Sequence, residues 1–129
     1  MCESNTETLN NQLASLQRGD TFIVPNTTFC LQGGVWAENI SDVTFQLDGT
    51  LSWTDEIKHW PRNGKNVQEC WYMAGLRNVT FTSSGAGTLY GNGQAWWGFI
   101  SYLEIAENRP RLFHIHNATN ILMEHWYFE

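Results

Sequence analysis

Along this chain apolar and polar positions alternate in short phrases rather than in long helical stripes. Ile40-Ser-Asp42-Val43-Thr44-Phe45-Gln-Leu47 leads to Asp48-Gly49-Thr50-Leu51 and ends near Trp53. Val43, Phe45 and Leu47 fall two apart, which puts them on one face of a strand. The phrase returns at Leu76-Arg-Asn78-Val79-Thr80-Phe81, followed by Gly87-Thr88-Leu89, and in worn form at Ala118-Thr-Asn120-Ile121-Leu122-Met123. An Asp or Asn opens each copy. Val79 follows Val43 after 36 residues and Ile121 follows Val79 after 42. Recurrence of this kind predicts stacked coils, with the difference in period taken up by loops on the outside.

The remaining elements fit that plan. Thr6 to Gln17 reads as a short amphipathic helix with Leu9, Leu13 and Leu16 on one side, Thr6 or Thr8 as its cap and Gly19 to end it. So small a helix is expected to lie as a lid over the open end of the strands. Strands are expected within Gly19 to Pro25, which turns into a strand that Pro25 closes, around Phe29 and Leu31 before a Gly33-Gly34 corner, and at Cys70 to Ala74. Leu112 to His116 mirrors that last one, and Ile121 to Phe128 opens a third coil. Thr54 to Glu69 has mixed charge and no period, so it is expected as a long solvated loop. Gly98 to Asn108 is a second excursion. Between the two, Gly85-Ala86-Gly87-Thr88-Leu89-Tyr90-Gly91-Asn92-Gly93 predicts a strand of about three residues and a sharp corner at Asn92, a residue that takes positive φ cheaply.

The corner and its surroundings carry a resemblance. Gly91, Asn92, Gly93, Gln94, Trp96 and Trp97, the Asn78-Val79-Thr80-Phe81 strand before them and Asn108-Arg109-Pro110-Arg111-Leu112 after them resemble glycoside hydrolase family 28, the polygalacturonase-like pectinases. The resemblance runs from about Gly19 to Glu129. It implies an all-β fold: a right-handed parallel β-helix of the pectin-lyase-like kind, incomplete here, with residues 1–129 as the amino-terminal part of one β-helix domain behind a capping helix at about 6–17. It also implies inverting hydrolysis of galacturonosyl linkages, a pectic polysaccharide as partner, a monomer and an extracellular location.

Composition and charge narrow the classes. A net charge of −6 argues against nucleic acid, which calls for a basic stripe. No run of eighteen apolar residues offers a transmembrane helix. The first twenty residues are polar and do not read as a signal peptide, so Met1 is expected to be an internal or artificial start. Four N-glycosylation sequons, at Asn26, Asn39, Asn78 and Asn117, suit a secreted protein, although the plainer expectation is that the last three mark turns of the repeat.

The odd cysteine count allows three thiols. If the chain is secreted, Cys2 with Cys30 is the pair to expect and Cys70 would seek a partner beyond Glu129.

Chemistry is harder to find. An inverting glycosidase needs an acid and a carboxylate base roughly 6.5–9.5 Å apart. The family supplies them from Asn-Thr-Asp, Asp-Asp, Gly-His-Gly and Arg-x-Lys motifs, and none of these occurs between Met1 and Glu129. No catalytic, cofactor-binding or metal-binding residue is therefore assigned, and no cofactor is expected. Asp42 and Asp48 sit where turns need Asp. Asp55 and Glu56 read as solvated. His114 and His116 share a strand face but lack a third ligand, and His59 and His125 offer no more. Trp71, Trp96, Trp97 and Trp126 are expected in packing before sugar stacking.

A coil with nothing stacked on it would leave strand groups unpaired, so the chain is expected to be a fragment of a hydrolase. The competing expectations are a β-helix that binds polysaccharide without cleaving it and a lyase, which would need an acidic calcium cluster.

Overall fold

The computed structural model describes residues 2–56, 59–63, 66–93 and 110–129. Among the described residues one named helix, α1 (Cys2–Ala14), precedes eleven strands. In chain order these are β1 (Thr21–Val24), β2 (Thr28–Leu31), β3 (Val35–Glu38), β4 (Thr44–Leu47), β5 (Thr50–Trp53), β6 (Arg62–Asn63), β7 (Asn66–Val67), β8 (Trp71–Thr82), β9 (Gly87–Tyr90), β10 (His114–Met123) and β11 (Trp126–Phe128).

Two sheets carry the fold, and every pairing in them is parallel. One runs β1-β4-β8-β10, with β3 joining β8; the other runs β11-β9-β5-β2. Successive coils therefore lie one on the next, as the repeat requires. The register matches the repeat residue for residue. Phe45 pairs with Phe81, and Val79 with Ile121. Thr50 and Leu51 face Thr88 and Leu89. The architecture is mostly β and β-helix-like.

Why the stacks hold is visible in the side chains that point inward. Phe45 lies flat on Phe81 at 5.3 Å between centroids, with Phe22 6.0 Å from Phe45 on its other side. Trp71 meets Phe45 and Phe113 edge-on. Trp53, fully buried, donates its indole N–H to the Cys70 carbonyl at 3.1 Å. Stacking identical rung positions places like side chains one strand spacing apart, about 4.8 Å, and aromatic rings fill that repeat well.

Sharp corners are made by residues with positive φ. Asn39 (57°), Gly75 (69°) and Asn117 (55°) form one column, and Asp42 (56°), Asn78 (53°) and Asn120 (57°) a second. Asn and Asp tolerate this region best among non-glycine residues. Between the columns Ile40 and Leu76 turn inward and are buried. Asn39, Asn78 and Asn117 are thus turn formers, as expected of three of the sequons. The corners are so tight that pairing continues through them: β8 and β10 each run on through a bend where separate strands were expected. Asn92 (53°) turns as expected too.

Two expectations need correction. The helix spans Cys2–Ala14 rather than Thr6 to Gln17, because its start is held by the Cys2–Cys30 disulfide and Thr6 lies within it, facing the sheet. It does pack on β2 and β3, with Leu9 and Leu13 buried. The loop from Thr54 to Glu69 is not simply solvated. Arg62–Asn63 and Asn66–Val67 pair antiparallel, and Trp60 is buried, donating its N–H to the Gln68 carbonyl at 2.8 Å. The ring lies so close to Gly33 that a Cβ there would come within 2.4 Å of it. Cys70 is a buried free thiol, packed in the core.

Candidate functional site

The side chains that sequence reasoning weighed for chemistry fall in several places. Asp42 ends a ladder along the second corner column. Asn120 Nδ2 donates to Asn78 Oδ1 at 2.9 Å, Asn78 Nδ2 donates to Asp42 Oδ1 at 2.8 Å, and Arg18 Nε donates to Asp42 Oδ2 at 2.9 Å. The Asn78 hydrogen bond, then that of Arg18, holds the Asp42 carboxyl below its ordinary pKa. Asp48 accepts from the Ser84 backbone N–H and hydroxyl, both at 2.8 Å, and from Gln46 Nε2 at 2.8 Å; these, the Ser84 N–H first, lower its pKa. Both aspartates are turn anchors with their oxygens occupied.

Asp55 and Glu56 are exposed, as is His59. Trp71 and Trp126 are core residues. Trp96, Trp97, Gln94 and the excursion from Gly98 to Asn108 lie outside the described residues. Among the described residues no group of three His, Cys, Asp or Glu side chains is placed to hold a metal ion.

His114 is the exception. Its Nδ1 lies 2.8 Å from Glu69 Oε2, and Arg111 Nη1 lies 3.5 Å from the same oxygen. Glu69 Oε1 accepts from the Arg111 backbone N–H at 3.1 Å, and the Cys70 N–H donates to the Arg111 carbonyl at 2.9 Å. His114 stands edge-on to Tyr72 at 5.2 Å, and Tyr72 stacks on the exposed Trp36 at 4.2 Å. His116 is 6.5 Å from His114, ring to ring, and takes no part in the carboxylate contact.

This cluster joins one coil to the next at the mouth of β8 and β10. Glu69 is only partly exposed, and its charge is met by a guanidinium, an imidazole and a backbone N–H. Such a carboxylate positions its neighbours; the bonds that occupy it are those a proton acceptor would need free.

Glu69 and Arg111 were missed in the sequence, the one assigned to a loop and the other to a motif. The signal was present: they are 42 residues apart, the same offset that separates Val79 from Ile121.

No family model matches the chain, and no solved structure matches it. Curated relatives do. An α-L-rhamnosidase, rgxB, of Aspergillus niger is 26% identical over 111 residues, 82% of this chain and 26% of that protein. A probable exopolygalacturonase B of Aspergillus flavus is 33% identical over 98 residues, 66% of this chain and 21% of that protein. The probable exopolygalacturonase B of Emericella nidulans is 34% identical over 96 residues, with the same shares. The chain is thus similar to glycosidases and spans about a fifth to a quarter of their length.

Proposed function

We propose that this chain is the amino-terminal part of a pectin-degrading glycoside hydrolase of family 28, built as a right-handed parallel β-helix and acting outside the cell on galacturonan with inversion. The observation that supports the reading best is the coincidence of two independent things. The coils stack in parallel register at the offsets of the repeat, and relatives 33% and 34% identical over 66% of the chain are named as probable exopolygalacturonases. The region described here would serve as cap and first coils, with the acid and base contributed by other coils of the parent protein.

The test is hydrolysis of polygalacturonate by the full-length protein, followed as reducing-sugar release and by the anomeric form of the first product. Release with inversion supports the reading. Release from a rhamnosyl substrate alone would favour rhamnosidase activity, in line with the relative that is similar over the larger share of this chain. Binding of galacturonan with no release from either substrate would favour the non-catalytic β-helix. The 129-residue polypeptide by itself, lacking all four family motifs, is expected to release nothing above a blank.

A further inference from the structure

On the corner side of the coils, away from the Glu69 cluster, two shallow clefts of about 490 and 260 Å³ meet at Arg77. Their walls are mainly polar, with Leu16, Ile40 and Val43 on the floor of the larger, and come from three successive coils. Ser41, Arg77 and Thr119 form one column by strand register, and Asn39, Gly75 and Asn117 the column beside it.

Gly75 leaves a gap in the asparagine column, and a Cβ there would stand 2.8 Å from Asn39 Oδ1. The saddle this makes is flanked by an amide on either side and by hydroxyls at Ser41 and Thr119. The Arg77 side chain is exposed, and among the described residues it makes no hydrogen bond or ion pair. Arg18, the other arginine lining the larger cleft, is already held by Asp42.

The geometry points to a binding site for a uronate unit of an anionic polysaccharide, with its carboxylate on Arg77 and its hydroxyls on the Asn39, Asn117, Ser41 and Thr119 side chains. A planar guanidinium with free N–H groups is the residue type suited to a carboxylate. Amides and hydroxyls at a spacing of about 4.8 Å per coil present alternating donors and acceptors to a chain of sugars lying along the stack. The class of sugar rests on the pectinase reading above; the site itself is a holding surface with no part in bond cleavage.

The experiment uses the full-length protein made in a host that adds no N-glycans. Modification of Arg77 by phenylglyoxal is followed by peptide mass spectrometry, with trigalacturonate, galactotriose or acetate present, and hydrolysis is read in the same samples. Trigalacturonate is expected to slow modification about tenfold, the neutral trisaccharide and acetate not at all. Arg77→Met is expected to weaken retention on immobilised galacturonan about tenfold while leaving the rate on trigalacturonate unchanged.

Equal protection by acetate would mean a simple anion site, and no protection with hydrolysis intact would end the proposal while sparing the hydrolase reading. Protection without hydrolysis would do the reverse. A glycan on Asn39 or Asn117 of the native protein would also overturn the proposal, since it would fill the saddle.

Discussion

The Thr6 hydroxyl bonds to both backbone groups of Gln32, donating to its carbonyl at 2.8 Å and accepting from its N–H at 2.7 Å. One side chain of the helix thus does for Gln32 what a neighbouring strand would do. Asn10 repeats the arrangement, donating to the Gly34 carbonyl at 3.0 Å and accepting from the Trp36 N–H at 2.9 Å, and Asn5 donates to the Cys30 carbonyl at 2.9 Å. The edge of β2 and β3 is closed by side chains instead of backbone.

Thr6→Val is therefore expected to destabilise the fold by about 1–3 kcal/mol, because two buried backbone groups lose their partner and water does not replace it. Thr6→Ser keeps the hydroxyl and is expected to recover most of the loss. Urea midpoints of the two variants against the parent decide the matter.

Stability at low pH is expected to depend on Asp42 and Asp48. Their pKa values are lowered by folding, so each contributes stability in full above the ordinary carboxylate pKa of about 4. That contribution falls away as pH drops below 4 through the folded-state values. Asp48→Asn should flatten the acid limb of a plot of urea midpoint against pH; an unchanged limb would show that Asp48 is not responsible.

Cys70 is expected to resist alkylation in the native protein at pH 8. Burial first, and the Glu69 charge second, push its thiol pKa well above the usual range. In denaturant, without reductant, one thiol should react and no more, since Cys2 and Cys30 are joined. Three reactive thiols would contradict the disulfide.

Gly49 lies where a Cβ would be 2.2 Å from the Thr27 carbonyl oxygen and 2.3 Å from that of Pro25, both backbone atoms that have no rotamer to yield. Gly49→Ala is expected to cost about 1–3 kcal/mol by overpacking. Gly85, with nothing within 4 Å of such a Cβ, is the control, and Gly85→Ala should stay within about 0.5 kcal/mol. Thermal or urea unfolding of the pair reads the difference.

What the sequence shows of this protein follows from how local each signal is. Alternation at Val43, Phe45 and Leu47, and an Asn or Asp ahead of each strand, are properties of a few adjacent residues, so strands and corners could be read in order. The cysteine pair could be read from position, given a secreted setting. Trp60 could not: its burial depends on Gly33, and no periodicity marks a side chain that folds back on a distant glycine. The helix start was misjudged because Thr6 looks like a cap and acts as an edge partner, a distinction made only when the sheet is present. Glu69 with Arg111 emerges only from applying the coil offset to residues outside the repeated phrase. No catalytic residue was assigned because none of the four motifs of the resembled family occurs between Met1 and Glu129.

The two corner columns stand three residues apart in every coil: Asn39 and Asp42, Gly75 and Asn78, Asn117 and Asn120. On the opposite side the intervals vary freely, which makes the corner a phase-keeper for the whole stack. Adding one residue between Asn39 and Asp42 would turn the inward face of β4 outward, whereas a few residues added at 54–56, ahead of the buried Trp60, would leave the strand register unchanged. Variation in length, and any new chemistry that arrives with it, is thereby confined to one flank of the molecule.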